Sequence, residues 1–223
     1  MSQKIVMIGA GGLSCQVLDI LEACKHLGRR YEILGYIVES KWGKPNIEIN
    51  GYPILGDFDW FDTCKEEVFA ITAVAAPEVR FRLVKKAMER GVSFCNVIHP
   101  ATILTRQLSI GQDVVLHAGC ILSFQTRIGS HVIMNMNCTI GENTFIRDFV
   151  TLSPGVNISG DVIIGTGAFI GTGTNIIENL HIGEWSVIGA GSTIISDVPP
   201  NTTVVGVPGK IIKTREAEWH RPQ

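Results

Sequence analysis

The stretch Ile140–Gly155 reads IGENTFIRDFVTLSPG, and its aliphatics stand at 140, 146 and 152. A helix asks for a return every three or four residues, and a half-buried strand asks for every second. A spacing of six fits neither. Read outward from this stretch, the phase holds in both directions. From Ile98 to Ile194 all seventeen sixth positions are Ile, Leu or Met. Four places after each aliphatic the residue is mostly small or β-branched, as at Val114, Cys120, Thr126, Cys138, Thr144 and Ala168. Glycine commonly follows the aliphatic, as at Gly111, Gly129, Gly141, Gly165 and Gly183.

A three-sided coil explains the number. Each hexapeptide is one short strand plus a corner, with the aliphatic pointing into a narrow triangular prism. Three hexapeptides close a turn, so residues eighteen apart stack at the ~4.8 Å spacing of paired strands. No coil can bury its interior alone, so neighbours are obligatory. The repeat predicts about five coils. Counted by eighteen, Glu142 lines up with Phe124, Gly160 and Glu178, and Cys120 stacks on Cys138 in the core.

Residues 1–97 follow a different grammar. KIVMIGA, YEILGYIVE, VFAITAVA and VSFCNVI read as strands, and GGLSCQVLDILEACKHLG and PEVRFRLVKKAMERG read as helices. The second of these helices has proline near its start and glycine at its end. Such alternation predicts a small parallel α/β sheet. The predicted organisation is therefore an α/β half-Rossmann domain (1–97), a parallel β-helix (98–212) and a polar tail (213–223). The turn Gly9-Ala10-Gly11-Gly12 lies between strand and helix, where backbone N–H groups can approach a phosphate. It lacks the third glycine of a dinucleotide fingerprint.

Composition narrows the function classes. A net charge of −2 gives no electrostatic footprint for nucleic acid or an acidic membrane. No apolar run is long enough to span a bilayer. MSQKIVMIGAGG has no signal-peptide pattern, so a cytoplasmic location is expected. Six cysteines show neither CxxC spacing nor a zinc-type cluster, so buried thiols and no metal are expected. The six histidines read as packing, surface or interface groups. His131 is expected near a corner, His117 on another side from Glu142, and His99 as a cap at the junction.

The opening MIGAGG, the IHPAT junction (98–102), the uninterrupted hexapeptide run and the ending VVGVPGKIIK occur together. The whole chain thereby resembles the sialic-acid O-acetyltransferase and nucleotide-aminosugar N-acetyltransferase family. The resemblance implies a left-handed β-helix, a handedness that spacing alone does not supply. It implies a homotrimer with the active site between subunits, and an N-terminal domain that binds a nucleotide sugar. It implies acetyl-CoA along the β-helix, held by Gly160, Gly173 and Gly191 with Lys210 as a phosphate partner. Nucleotide-sugar contacts are implied at Gly9, Gly11, Gly12, Leu13, Glu39, Ser40 and Lys41.

The segment FVTLSPGVNISGDVIIG (149–165) resembles the family's segment after its catalytic base. The family pattern I-G-H-[DE] is matched here by Ile140-Gly141-Glu142-Asn143, so Glu142 stands where histidine is expected. Gly160 matches the glycine whose N–H meets the acetyl carbonyl. An ordinary Glu is roughly two pKa units a weaker base than His, on the order of 3 kcal/mol in proton affinity. Burial beside Phe124 is one way to recover some of that. The expected activity is acetyl-CoA-dependent N-acetylation of a nucleotide-linked amino sugar, with Glu142 and Gly160 as the catalytic pair. The alternatives are a homologue that only binds nucleotide sugar or has a structural role, and O-acetylation of a sugar hydroxyl.

Overall fold

The computed structural model describes residues 2–220. The N-terminal sheet is built from β1 (Gln3–Ile8), β2 (Tyr31–Ile37), β3 (Glu48–Ile49), β4 (Tyr52–Gly56), β5 (Phe69–Thr72) and β6 (Ser93–Phe94). Its order is β3-β4-β2-β1-β5-β6, parallel except where β3 runs against β4. Helix α1 (Gly12–His26) covers one side with Val17, Ile20 and Leu21. Helix α3 (Pro77–Met88) covers the other with Leu83, Val84 and Ala87, and a short α2 (Trp60–Thr63) precedes β5. The hairpin β3–β4 was not anticipated. Asn50 and Gly51, at φ 50° and 77°, make the two-residue turn that joins it.

From Val97 the chain winds into a left-handed parallel β-helix. A first face stacks Val97–Ile98, Val115–Leu116, Ile133–Met134, Thr151–Leu152, Phe169–Ile170 and Val187–Ile188. A second face runs from Ile103–Leu104 to Thr193–Ile194, and a third from Ser109–Ile110 to His181–Ile182. The third face has five strands, so five coils are complete. From Val97 to Ile194 every rung pairs with residues eighteen apart, for example Ile140 with Ile158. The second residue of each strand points inward, and Leu116, Leu122, Ile146, Leu152, Ile164 and Ile170 are wholly buried. Cys120 and Cys138 are buried beside them as free thiols.

Two boundaries differ from expectation. VSFCNVI is two strands rather than one: β6 completes the α/β sheet, while Val97–Ile98 pairs with Val115–Leu116 as the first rung of the helix. The hexad phase, which already includes Ile98, wins over local strand propensity. At the other end Thr202–Val205 stacks on the first face and Lys210–Thr214 pairs back onto it antiparallel. The tail is docked through residue 220: Arg215 N–H donates to Asn201 O, and the His220 ring stacks on Trp185 at 3.7 Å and 3°. Residues 221–223 of the expected tail lie outside the described residues.

The α/β domain sits on the first face. Val97, Val115 and Ile133 share a core with α1 and β1. Two buried ionisable side chains, Asp113 and Arg80, reinforce this seam. Asp113 accepts from Thr72 N–H at 2.7 Å, contacts the Thr72 hydroxyl, and lies 2.8 Å from His131 Nδ1. His131 is thus buried in the domain seam, stacked on Phe149, and not on the surface. Arg80 donates from Nε to His131 O, from Nη1 to Val74 O and Ala75 O, and from Nη2 to Phe149 O, Val150 O and Thr151 Oγ1. Burial pushes its pKa down to about 10, which still leaves a cation at neutral pH.

Candidate active site

The corner between the second and third faces carries Glu142. Ile140 turns inward, Gly141 starts the corner, and Asn143 adopts a left-handed φ of 54°. Asn143 N–H donates to Phe124 O at 3.0 Å on the preceding coil, and Asp161 N–H donates to Glu142 O at 2.8 Å from the following one. Asn143 Nδ2 also donates to Asp161 Oδ1 at 3.0 Å. The corner is therefore pinned above and below. The Glu142 carboxylate lies over Gly160: a Cβ at residue 160 would meet Oε1 at 2.7 Å and Cδ at 2.8 Å. Glycine there leaves room for the carboxylate beside a bare backbone amide. No histidine stands in this column.

The expected apolar shelter does not form within the chain. Glu142 is exposed, and Phe124, one coil earlier, is 45% exposed. A cleft of about 620 Å³ opens beside the corner on the third face, lined by Gln125, Arg127, Asn143, Phe145 and Ile163 among others. Gly173 and Gly191, at φ 68° and 67°, stand at the opposite edge of the second face from Gly160. The loop leading to Lys210 crosses that face's last rung, where Gly209 N–H donates to Thr193 O. The predicted set thus borders one face without converging on one point. Between its members runs a side-chain ladder in which the Thr139 hydroxyl donates to Asn157 Oδ1 and Asn157 Nδ2 to Asn175 Oδ1.

A second cavity, of about 340 Å³, lies in the α/β domain at the C-terminal ends of β1 and β2. Gly9, Ala10 and Gly11 form one rim, and Ile37, Val38, Phe58, Val74 and Leu83 form its apolar walls. Gly9 has φ 100°, and a Cβ there would press on Val74 at 2.7 Å, so loop and wall meet backbone to side chain. Gly12 and Leu13 are already in α1, outside the lining. Ser40 is occupied with Asp57, to which its N–H and hydroxyl donate at 2.9 and 2.8 Å.

Glu39 is present at the rim but is gripped by cations. Arg82 clasps both carboxylate oxygens, Lys86 reaches Oε1 at 2.8 Å, and Lys41 lies 3.5 Å from Oε2. The Arg82 hydrogen bonds, against the cost of burial, hold the Glu39 pKa at about 2. Because the folded value lies below the ordinary one, the contribution of Glu39 to stability is complete above pH about 4.5 and is lost as pH falls towards about 2. Thermal unfolding followed across that range should show a loss that Glu39→Gln removes. An unchanged acid limb in the variant would mean that the ion-pair cluster contributes nothing. Arg82, Lys86, Trp42 and Phe58 were not picked out from sequence. The spacing of Arg82 and Lys86, four apart on one helix face, was the available signal.

The histidines lie elsewhere. His99 caps the junction, its Nδ1 accepting from Ala101 N–H at 3.0 Å. His117 is buried at the first–second corner, where burial, then His99, pushes its pKa down to about 4, so the ring is neutral. Among the described residues no group of three His, Cys, Asp or Glu could hold a metal ion. No helix among them is long and apolar enough to cross a membrane.

A triangular β-helix with a small, mostly parallel α/β domain on one face defines a class, that of hexapeptide-repeat proteins with an N-terminal half-Rossmann domain. Residues 4–87 match the PglD N-terminal domain. No curated protein matches the chain by sequence. The chain is similar to a histidine-to-asparagine variant of perosamine N-acetyltransferase from Caulobacter crescentus, solved in complex with CoA and GDP-perosamine. That match has 27% identity and a TM-score of 0.86, over 94% of this chain and 97% of that one. It is similar to the acetyltransferase domain of PglB from Neisseria gonorrhoeae FA1090, solved with acetyl coenzyme A, at 28% identity and TM-score 0.85, over 95% and 100%. It is also similar to WeeI from Acinetobacter baumannii AYE, at 26% identity and TM-score 0.85, over 95% and 100%. The chain shares the fold of these solved structures from end to end.

Proposed function

We propose that the protein transfers acetyl from acetyl-CoA to the amine of a nucleotide-linked amino sugar. The observation that carries this reading is the Glu142 carboxylate lying over the Gly160 backbone at an open corner, in a chain similar along its whole length to enzymes of that kind. The amine attacks the thioester carbonyl, and the Gly160 N–H donates to the oxyanion as it forms. Glu142 orients the amine and accepts its proton. Collapse of the intermediate breaks the carbon–sulfur bond, and the proton taken up by Glu142 returns to the leaving thiolate, so CoA departs as the thiol. CoA lies along the second face, bordered by Gly160, Gly173, Gly191 and the loop before Lys210. The sugar nucleotide occupies the α/β cavity, with Gly9 and Gly11 towards its phosphates and Glu39, Ser40 and Lys41 at the nucleoside end.

The α/β domain covers the first face, and the corner opposite that face carries Glu142. A chain therefore does not bring its own cavity to its own carboxylate. The reading accordingly includes a cytoplasmic homotrimer in which one subunit's cavity serves its neighbour's corner. Calorimetric titration with acetyl-CoA and with UDP-, TDP- and GDP-linked amino sugars tests it, followed by an assay for acetyl transfer. The expected result is binding of both partners and amide formation. The exposure of Glu142 favours a second reading, a homologue that binds nucleotide sugar without transfer; nucleotide binding with neither CoA affinity nor product would select it.

A further inference from the structure

Every guanidinium nitrogen of Arg80 is engaged, and the transfer chemistry above makes no use of it. It is fully buried, and its three nitrogens donate to six oxygens. Those acceptors fall in two groups. Val74 and Ala75 belong to the loop between β5 and α3, and Val74 is a wall of the nucleotide-type cavity. His131, Phe149 and Val150 belong to the corners between the third and first faces, and Thr151 opens the first-face strand that follows. The coil running from His131 to Phe149 is the one whose far corner is Glu142. A second link closes the loop, since the Thr151 hydroxyl donates to Ala75 O at 2.7 Å. Arg80 thus ties the cavity wall directly to the β-helix of its own subunit, and so fixes how that cavity is presented to a neighbouring subunit's corner.

A planar guanidinium with a fixed fork suits this task, because it constrains direction as well as distance. Burying a cation costs free energy that a hydrophobic residue of the same volume does not incur. Packing alone thus gives no reason for an arginine here, whereas orientation does.

We propose that Arg80 is a positioning residue for acetyl transfer: it fixes the angle of the nucleotide cavity on its own β-helix, and so, in the trimer of the reading above, sets where the acceptor amine meets the thioester at the neighbouring subunit's corner. This rests on the transfer reaction proposed above. Positioning predicts a split between binding and turnover. Misplacement of reacting groups by about 1 Å can lower a rate by about 100-fold. Cavity and second face each remain whole when the angle relaxes.

The test uses Arg80→Lys, which keeps the charge and loses the fork, and Thr151→Val, which removes one link without exposing a buried cation. Each is measured by transfer kinetics, by calorimetry with the nucleoside diphosphate and with CoA, and by hydrogen exchange over residues 72–82 and 147–153. The expected result for Arg80→Lys is a fall in kcat of about tenfold or more, with both dissociation constants within about threefold of wild type. Faster exchange in both segments accompanies it, and Thr151→Val shows the same pattern at smaller size. Unchanged kcat in a folded Arg80→Lys protein overturns the proposal, as does loss of nucleotide affinity in proportion to rate. If the wild type transfers no acetyl group, the functional reading fails on that ground, and exchange decides the clasp: unaltered exchange in both variants overturns it.

Discussion

Replacing Glu142 by glutamine is expected to lower acetyl transfer about tenfold or more, because the amide keeps the shape and hydrogen-bonding reach of the side chain but accepts no proton. The carboxylate sits over Gly160 with no side chain between them, so the substitution changes chemistry without changing packing. CoA affinity should hold, since the expected CoA contacts are backbone groups on the second face. Replacement by histidine gives the complementary reading. An imidazole titrates near neutrality, whereas an ordinary carboxylate titrates roughly two units lower. If residue 142 takes the proton, the acid limb of kcat/KM against pH moves up in Glu142→His. Unchanged turnover in Glu142→Gln removes the residue from the mechanism. A lowered rate in Glu142→Gln, with an acid limb in Glu142→His that stays where it is, leaves it an orienting group.

Two glycines one coil apart should respond differently to the same added methyl group. At Gly141 a Cβ would lie 2.5 Å from Gly160 N and 2.5 Å from Ser159 C, both backbone atoms of the next coil. Relief requires the coils to part where Gly141 N–H donates to Ile158 O at 2.8 Å. Overpacking of this kind costs about 1–3 kcal/mol. At about 2–4 °C per kcal/mol, Gly141→Ala should lower Tm by several degrees. It should also lower turnover, because the displaced backbone includes the Gly160 amide. At Gly160 the added atom meets only the flexible end of Glu142, so Gly160→Ala should leave Tm almost unchanged. Its turnover should still fall about tenfold, since the carboxylate must swing off the amide. A wild-type Tm for Gly141→Ala contradicts the stacking at this corner, and wild-type turnover for Gly160→Ala contradicts the role of the pair.

The β-helix was legible because its signal repeats. The hexad from Ile98 to Ile194 fixes face, register and inward side chain together, so the stacking of Glu142 on Gly160 followed by counting. The α/β elements were legible where periodicity is strong, as in α1. The β3–β4 hairpin was missed although Asn50-Gly51 is a turn signal, because β3 has two residues and no alternation to read. The seam was beyond reach for another reason. Arg80 meets His131, Phe149 and Thr151 across 51, 69 and 71 residues of chain. Nothing local in EVRFRL tells Arg80, which is buried, from Arg82, which lines the cavity. The helix phase separates them only once the two sides of the sheet are known to face different neighbours. The corner position of His131 and its place over Phe149 followed from counting, but its burial did not, because that corner is covered by a domain that the repeat does not encode.

A prism of identical rungs has no built-in length, and each end offers an open backbone edge to any similar rung. Here the C-terminal edge is sealed by reversal. After Pro199-Pro200 one more parallel strand, Thr202–Val205, is laid down, and Lys210–Thr214 then runs against it. That last strand is exposed along its whole length and presents Lys210 and Lys213. A second molecule seeking to continue the stack meets a rim of the wrong polarity bearing two ammonium groups. The chain thus carries its own terminator against filament growth, made from the same few residues that complete the first face.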